Sequence, residues 1–182
     1  DATLLMTQSG VHHVPVVDCG TLVGMLTTSD LMLAKQDDPV YLVTHIGRQS
    51  SITSIQAMLD DLPSLMVSWS RSGMRAQHVS RLLTAISDAV VIRLLQLAEH
   101  EYGQAPVKYC WVGFGSQGRG EQLLGADQDN GMILERSVSG EEAEWFKRVA
   151  TYVCDGLAAC GYRYCPGGIM ATTDDWRVSL AQ

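Results

Sequence analysis

Apolar positions along this chain change their spacing from block to block, and each spacing predicts a different kind of element. Val11 to Val17 and Thr21 to Thr27 are two runs of β-formers separated by Asp18-Cys19-Gly20. Asp and Gly suit a tight connection, so the runs predict a β-hairpin. Ser29-Asp30-Leu31-Met32-Leu33 reads as the start of a short helix behind it. A hairpin and one helix are too small to be a stable domain.

From about Asp37 to His100 the spacing is helical. Val79, Leu82, Leu83, Ile86, Val90, Leu94 and Leu97 recur at steps of three and four, which puts one apolar stripe on a long helix. An earlier helix is expected from Ile52 to Leu62, stopped by Pro63, and Ser68 to Gly73 predicts a polar break. These helices carry no chemical motif and read as scaffold.

The last block opens near Pro106. Val107 to Gly113 predicts a strand that runs into a Gly-rich turn, and Asp129 to Leu134 predicts a second strand. Ser139 and Glu142 have capping-box spacing. Phe146, Val149, Val153 and Leu157 continue as a helical stripe that Gly161 is suited to end. Strand, loop with short helix, strand, long helix is the order of an α/β layer. The expected architecture is α/β (α+β), a small mixed sheet with helices. Its blocks are 1–36, a helical segment over 37–104, and an α/β core over 105–182.

Composition narrows the class. The 182 residues are 46% hydrophobic and 18% charged, as in soluble globular proteins, and suffice for one good domain and part of another. The net charge of −7 lacks the basic footprint of a duplex nucleic-acid binder, yet permits a nucleotide whose phosphates a local metal neutralises. Cys19, Cys110, Cys154, Cys160 and Cys165 form no C-x-x-C pair, so free cysteines packed as small hydrophobes in a reducing compartment are expected. No signal-peptide pattern and no membrane-length apolar run appears, which predicts a cytoplasmic protein without a membrane partner. The first residue is Asp rather than Met, and the chain is expected to be a piece of something longer. His12-His13 reads as a strand pair rather than a metal site, because strand neighbours point oppositely.

The chemistry concentrates in Gly113-Phe114-Gly115-Ser116-Gln117-Gly118-Arg119-Gly120-Glu121-Gln122 and the following Asp127-Gln128-Asp129-Asn130. Glycines after a strand let backbone approach an anion closely and aim N–H groups at it. Ser116 adds a hydroxyl. Arg119 adds a fixed positive charge suited to phosphate, or pairs with Glu121 instead. Asp127 and Asp129 stand at alternate positions entering a strand, so both face one side while Gln128 points away. Two neighbouring carboxylates repel unless a cation lies between them, and hard oxygens select Mg²⁺ (or Mn²⁺). Asn130 either orients a carboxylate or begins a turn.

In this order, the stretch resembles the nucleotidyltransferase fold of the polymerase-beta superfamily, with likeness to PII uridylyltransferase and glutamine synthetase adenylyltransferase. More narrowly, Trp111 to Gln122, Asp127 to Asn130, Cys165 to Ala171 and Trp176 are similar to a nucleotidyltransferase family found downstream of cyclic-nucleotide-binding and CBS modules in bacterial signalling proteins. The resemblance covers roughly Ile46 to the C-terminus. It implies that Gly115 and Ser116 hold the triphosphate and that Asp127 and Asp129 bind metal and carry catalysis. It also implies a nucleoside triphosphate substrate and a protein or small-molecule acceptor. Superfamily enzymes add a third carboxylate as base. Asp174 and Asp175, in Thr-Thr-Asp-Asp-Trp, take no such role, which leaves a catalytically silent nucleotide-binding module as the alternative.

Val14-Pro15-Val16-Val17-Asp18 and Leu22 to Leu31 resemble the second half of a CBS motif. That implies Thr27 on an adenosine phosphate and Asp30 on a ribose, with a homodimer permitted by the pairing of such units. Alternatively, Asp30 or Ser29 caps the helix that follows.

Overall fold

The computed structural model describes residues 2–31 and 39–181, so Met32 and Leu33 of the expected first helix lie outside the described residues. The chain folds as two compact units, Asp1–Leu42 and Val43–Gln182.

In the first unit, α1 (Ala2–Ser9) precedes the hairpin of β1 (His13–Asp18) and β2 (Thr21–Thr27), and a helical turn over 28–31 follows. The strands pair antiparallel from Asp18↔Thr21 to His13↔Thr27, with a register shift between Val16 and Val17. Cys19 (φ 47°) and Gly20 (φ 81°) are both left-handed. Two such residues make the primed turn whose twist matches that of the strands. Val16, Val17, Leu22, Val23 and Met25 remain exposed, so the hairpin keeps apolar surface uncovered.

The division between units falls within α2 (Pro39–Ile46). The helices α3 (Ile52–Leu59), α4 (Leu62–Arg71) and α5 (Ala76–Tyr102) come next, then β3 (Tyr109–Gly113) and the short α6 (Gly115–Gly118). β4 (Asp127–Gln128), β5 (Asn130–Leu134), α7 (Glu141–Ala159), β6 (Arg163–Tyr164), a 3-10 turn (Asp174–Trp176) and β7 (Arg177–Ser179) complete it.

Three local expectations change. The helix expected from Ile52 to Leu62 ends at Leu59, and Pro63 sits in the first turn of α4, where its missing N–H costs nothing. The proline opens a helix instead of closing one. The polar break is shorter than Ser68 to Gly73, because α4 runs to Arg71 and only Gly73 turns left-handed (φ 82°). The N-cap of α7 is Gly140, without a side-chain cap. Glu142 is instead held by Nη1 and Nη2 of Arg136, each at 2.8 Å. Two charge-assisted bonds outweigh one to a backbone N–H.

The α5 stripe is buried at Val79, Leu83, Ile86, Val90, Leu94 and Leu97, with Leu82 half-buried, and the α7 stripe is buried at all four positions. The two helices meet so closely that a Cβ on Gly156 would stand 2.6 Å from Leu94 Cδ2. They cover one face of a three-stranded sheet ordered β3-β5-β7. β3 and β5 are antiparallel, with Cys110↔Ile133 and Val112↔Gly131, and β5 and β7 are parallel, with Ile133↔Val178. Opposed residues share a face, so Tyr109, Met132 and Leu134 point toward α7, where Tyr109 packs edge-on against Phe146 at 5.6 Å. Cys110, Val112, Ile133 and Val178 occupy the other face, and all are exposed or half-buried. A separate pair of strands, β4 and β6, runs parallel. The fold is thus mixed α/β, small sheets with helices against them.

Candidate active site

The Gly-rich stretch leaves β3 and turns at once into α6. Gly115 is left-handed (φ 54°), and a Cβ there would overlap Asp129 Oδ2 and stand 3.4 Å from Asp129 Cγ. Only glycine lets that carboxylate rest on the turn's backbone. Asp129 reaches this place because its carbonyl accepts from Phe114 N at 2.8 Å, which extends the β3–β5 ladder by one pair. Ser116 closes the loop through its carbonyl, which accepts from Glu121 N at 2.8 Å.

The second aspartate arrives by another route. Asp127 lies opposite Arg163 in the β4–β6 pair. Its Oδ1 is 3.1 Å from Arg163 Nε, which also donates to Gly125 O at 2.9 Å. The arginine is 73% exposed and the aspartate 38%, so a competing cation displaces the pair at little cost. Between them, Gln128 is buried and donates through Nε2 to Cys154 O and Tyr162 O, both at 3.0 Å. Burial alternates around Gln128, which is buried between two half-buried acids. However, the two acids do not share one strand: Asp127 belongs to β4, and Asp129 stands just before β5. The strand is interrupted at Asp129, and Asn130 N beyond it donates to Ile169 O at 3.1 Å.

Asn130 neither orients a carboxylate nor begins a turn. Buried in β5, it accepts through Oδ1 from Ala171 N (2.8 Å) and from the Cys154 thiol (3.7 Å), tying the 165–171 loop to the sheet. Arg119 is paired with Glu121 at 2.9 Å, both largely exposed. Asp174 and Asp175 are exposed, and Asp174 is bonded to Arg177. β7, the neighbour of β5, carries Arg177, Val178 and Ser179 and no acid. In the first unit, Thr27 and Asp30 are engaged with each other. Asp30 Oδ2 accepts from Thr27 N and Oγ1, each at 2.7 Å, and Asp30 N donates to Thr27 Oγ1 at 3.2 Å. This is a reciprocal cap on the turn over 28–31, with Thr27 rather than Asp30 or Ser29 at the cap. These bonds hold the Asp30 carboxyl below its ordinary value.

Sequence reasoning missed the residues that hold the Gly-rich loop. Gln117 Nε2 donates to Asp88 Oδ1 at 2.9 Å, and Gln122 N donates to Thr84 Oγ1 at 3.3 Å, so α5 anchors the loop at two points. The signal was available: Thr84 and Ser87 interrupt an otherwise apolar stripe, and a buried hydroxyl needs a partner. A hollow of about 760 Å³ opens beside them between α5 and β3, lined by Asp88, Ile92, Glu99, Tyr109, Trp111 and Gln117 among others, and it includes neither Asp127 nor Asp129. Glu99 there accepts from the Tyr109 hydroxyl, whose acidity is suppressed by burial and then by that bond. The cysteines are all free: Cys19 and Cys110 are exposed, contrary to the expected packing, while Cys154 is buried and its thiol is pushed up to about 12 by burial.

Among the described residues no group of three or more His, Cys, Asp and Glu comes together as a metal cage. Two oxygen-donor carboxylates could hold Mg²⁺ in the way that ion is usually bound, with substrate phosphates and water supplying the other ligands. No helix among the described residues is long and apolar enough to cross a membrane.

A small mixed sheet with helices on one face, and an aspartate at its end resting on a Gly-Ser turn, define a nucleotidyltransferase-like fold. The comparison with known families agrees: residues 60–182 match the family described as "Putative nucleotidyltransferase DUF294", and the chain belongs to it. Residues 1–37 match the CBS domain, so a CBS segment precedes the nucleotidyltransferase-family domain. Among curated proteins and among solved structures, none matches.

Proposed function

We propose that this chain binds a nucleoside triphosphate with a divalent cation at Gly115, Ser116, Asp127 and Asp129. The reaction is transfer of a nucleotidyl group to a protein or small-molecule acceptor, whose hydroxyl oxygen attacks the α-phosphorus and loses its proton to water while pyrophosphate leaves, in a cytoplasmic signalling protein regulated through its CBS segment. One observation carries the reading: the Asp129 carboxylate lies against the left-handed Gly115, where an added side chain would displace it. Family membership supports it.

Each residue has a task in this scheme. Backbone around Gly115 and Ser116 lies close to the triphosphate, and Asp129 is fixed beside it by the Phe114–Asp129 backbone bond. Asp127 becomes available when Arg163 swings out of an exposed pair. Arg119, equally exposed, exchanges Glu121 for phosphate. Bound Mg²⁺ or Mn²⁺, held by Asp127 and Asp129, would neutralise charge on the phosphates and polarise the one attacked. At the CBS segment, Thr27 and Asp30 would meet an adenosine nucleotide by giving up their mutual bonds.

A second reading has its own support. Among the described residues, β7 brings no carboxylate beside β5, and Asp174 is bonded to Arg177. The domain would then bind nucleotide without turnover. Incubation with labelled nucleoside triphosphate and Mg²⁺, with an Asp127→Ala/Asp129→Ala control, separates the readings. Aspartate-dependent transfer or release of label supports catalysis. Calorimetric binding without turnover supports the silent module, and the absence of binding refutes both.

A further inference from the structure

The sheet face that carries Asp129 also carries an aromatic pair whose task nothing above explains. Phe114 opposes Asp129 across the β3–β5 ladder, and Val112 opposes Gly131 beside it, so Phe114, Val112, Asp129 and Gly131 project to the side away from α7. Trp176 stands two residues before Val178, which is on that same face through its pairing with Ile133. Phe114 and Trp176 meet over Gly131 with ring centroids 5.3 Å apart and planes at 58°. A Cβ on Gly131 would stand 3.2 Å from Phe114 Cε2 and 2.9 Å from Trp176 O, so the missing side chain lets the rings close over the strand. Both rings remain only half-buried.

Trp176 N donates to Thr173 O at 3.3 Å, and the segments around it are braced. Arg177 Nη1 donates to Ala171 O at 2.6 Å, Ala171 N donates to the buried Asn130, and Thr173 Oγ1 donates to Met170 O at 2.9 Å. A half-buried indole on a braced segment, packed against Phe114 at the end where Asp129 meets the Gly-Ser turn, offers a stacking platform. An aromatic ring supplies a face that any base accepts.

We infer that Trp176, buttressed by Phe114, stacks the nucleobase of the nucleoside triphosphate and so contributes affinity separately from the phosphate contacts at Gly115 and Asp129. The inference rests on the nucleotide-binding reading above. It makes Trp176 a binding residue that tolerates all four bases, since stacking reads ring area rather than hydrogen-bonding edges.

The test is calorimetry of the chain in Mg²⁺ with ATP, GTP, CTP and UTP, and with inorganic tripolyphosphate as a probe that has no base. Wild type should bind the nucleotides more tightly than tripolyphosphate. Trp176→Leu keeps apolar bulk but removes the aromatic face. It should weaken every nucleotide by about tenfold or more while leaving tripolyphosphate unchanged, and Trp176→Phe should recover most of the loss. The idea is overturned if wild type binds nucleotides no better than tripolyphosphate. It is also overturned if Trp176→Leu weakens both probes alike or neither. A Trp176→Leu variant that changes sedimentation while keeping nucleotide affinity would make the face an interface between copies, and would overturn it as well. If wild type binds neither probe, the nucleotide-binding reading falls and takes this inference with it.

Discussion

Replacing Gly115 with alanine isolates the contact on which the active-site reading depends. The substitution has two separable effects. The first is conformational, because an L-residue at φ 54° pays for the left-handed region with roughly 1–2 kcal/mol. For a chain of this size that lowers the melting temperature by only a few degrees. The second is positional. The new methyl would occupy the place of Asp129 Oδ2, which is the end of a side chain and can rotate away to another staggered well. The fold therefore survives, while the carboxylate leaves the turn. Supports that hold a metal ligand in place are worth about 10–100-fold in affinity, and a loss in that range is expected for Mg²⁺-nucleotide binding.

The measurement pairs urea denaturation with nucleotide calorimetry on Gly115→Ala, Asp129→Ala and the double variant. Because both single changes remove the same carboxylate from the same place, their losses should not multiply, and the double variant should bind about as Asp129→Ala does. Two results would refute the reasoning. One is a Gly115→Ala protein that binds within about twofold of wild type while Asp129→Ala has lost affinity, by the same coupling argument. The other is multiplicative loss in the double variant, which would show that glycine and aspartate act on different things.

Other expectations test the surroundings of the site. Asn130→Ala strips the acceptor from Ala171 N and the Cys154 thiol inside the core, and should cost about 1–3 kcal/mol in urea unfolding. Arg163→Ala frees Asp127, so Mg²⁺-nucleotide affinity should rise while stability changes by less than about 1 kcal/mol; unchanged or weaker binding would mean that the arginine does not compete for the carboxylate. Alkaline pH tests Cys154, whose thiol rises from an ordinary 9.0 to about 12 through burial. Below pH 9 both states keep the proton and stability is unaffected. From there toward 12 the unfolded thiol ionises first, so stability falls by at most about 1.4 kcal/mol per pH unit. Tyr162, also pushed up to about 12, adds to the fall at the upper end. Cys154→Ala should reduce, without abolishing, the fall in urea midpoint between pH 9 and 10, because burial also pushes the Cys160 thiol up to about 11, and an unchanged slope would contradict the assignment.

How much the sequence disclosed depended on the range of the interaction. Stripes at three-and-four spacing located α5 and α7 and most of their buried residues, because burial of one helix face is written locally. The hairpin was equally legible through Asp18-Cys19-Gly20, although the residues in the left-handed region are Cys19 and Gly20. Pro63 was misread because proline is disfavoured inside a helix and favoured in its first turn, and only the end of α3 at Leu59 decides which applies. The cap predicted at Ser139 failed for a different reason, since Arg136 took Glu142 away. No local spacing rule contains that competition.

The candidate site divides in the same way. Gly115, Ser116, Asp127 and Asp129 could be named from a local motif and the family it resembles, because a Gly-rich turn followed by alternating acids lies within one short stretch. Their geometry could not, since it is made by partners distant in sequence. Asp129 is aligned by Phe114 and Asp127 is held by Arg163; just past the acids, Asn130 N meets Ile169 O. Trp176 shows this most clearly. In sequence it is a lone aromatic after two acids, with nothing to distinguish stacking from packing. Only the parallel register of β7 against β5 turns it toward the face of Asp129, and only the bare backbone of Gly131 lets Phe114 close against it. A sheet with helices on one side leaves its other side for a ligand. The side left open here holds an acid at one end and an aromatic pair next to it, and in the proposed reading the acid carries the divalent cation that meets the phosphates while the rings carry the base.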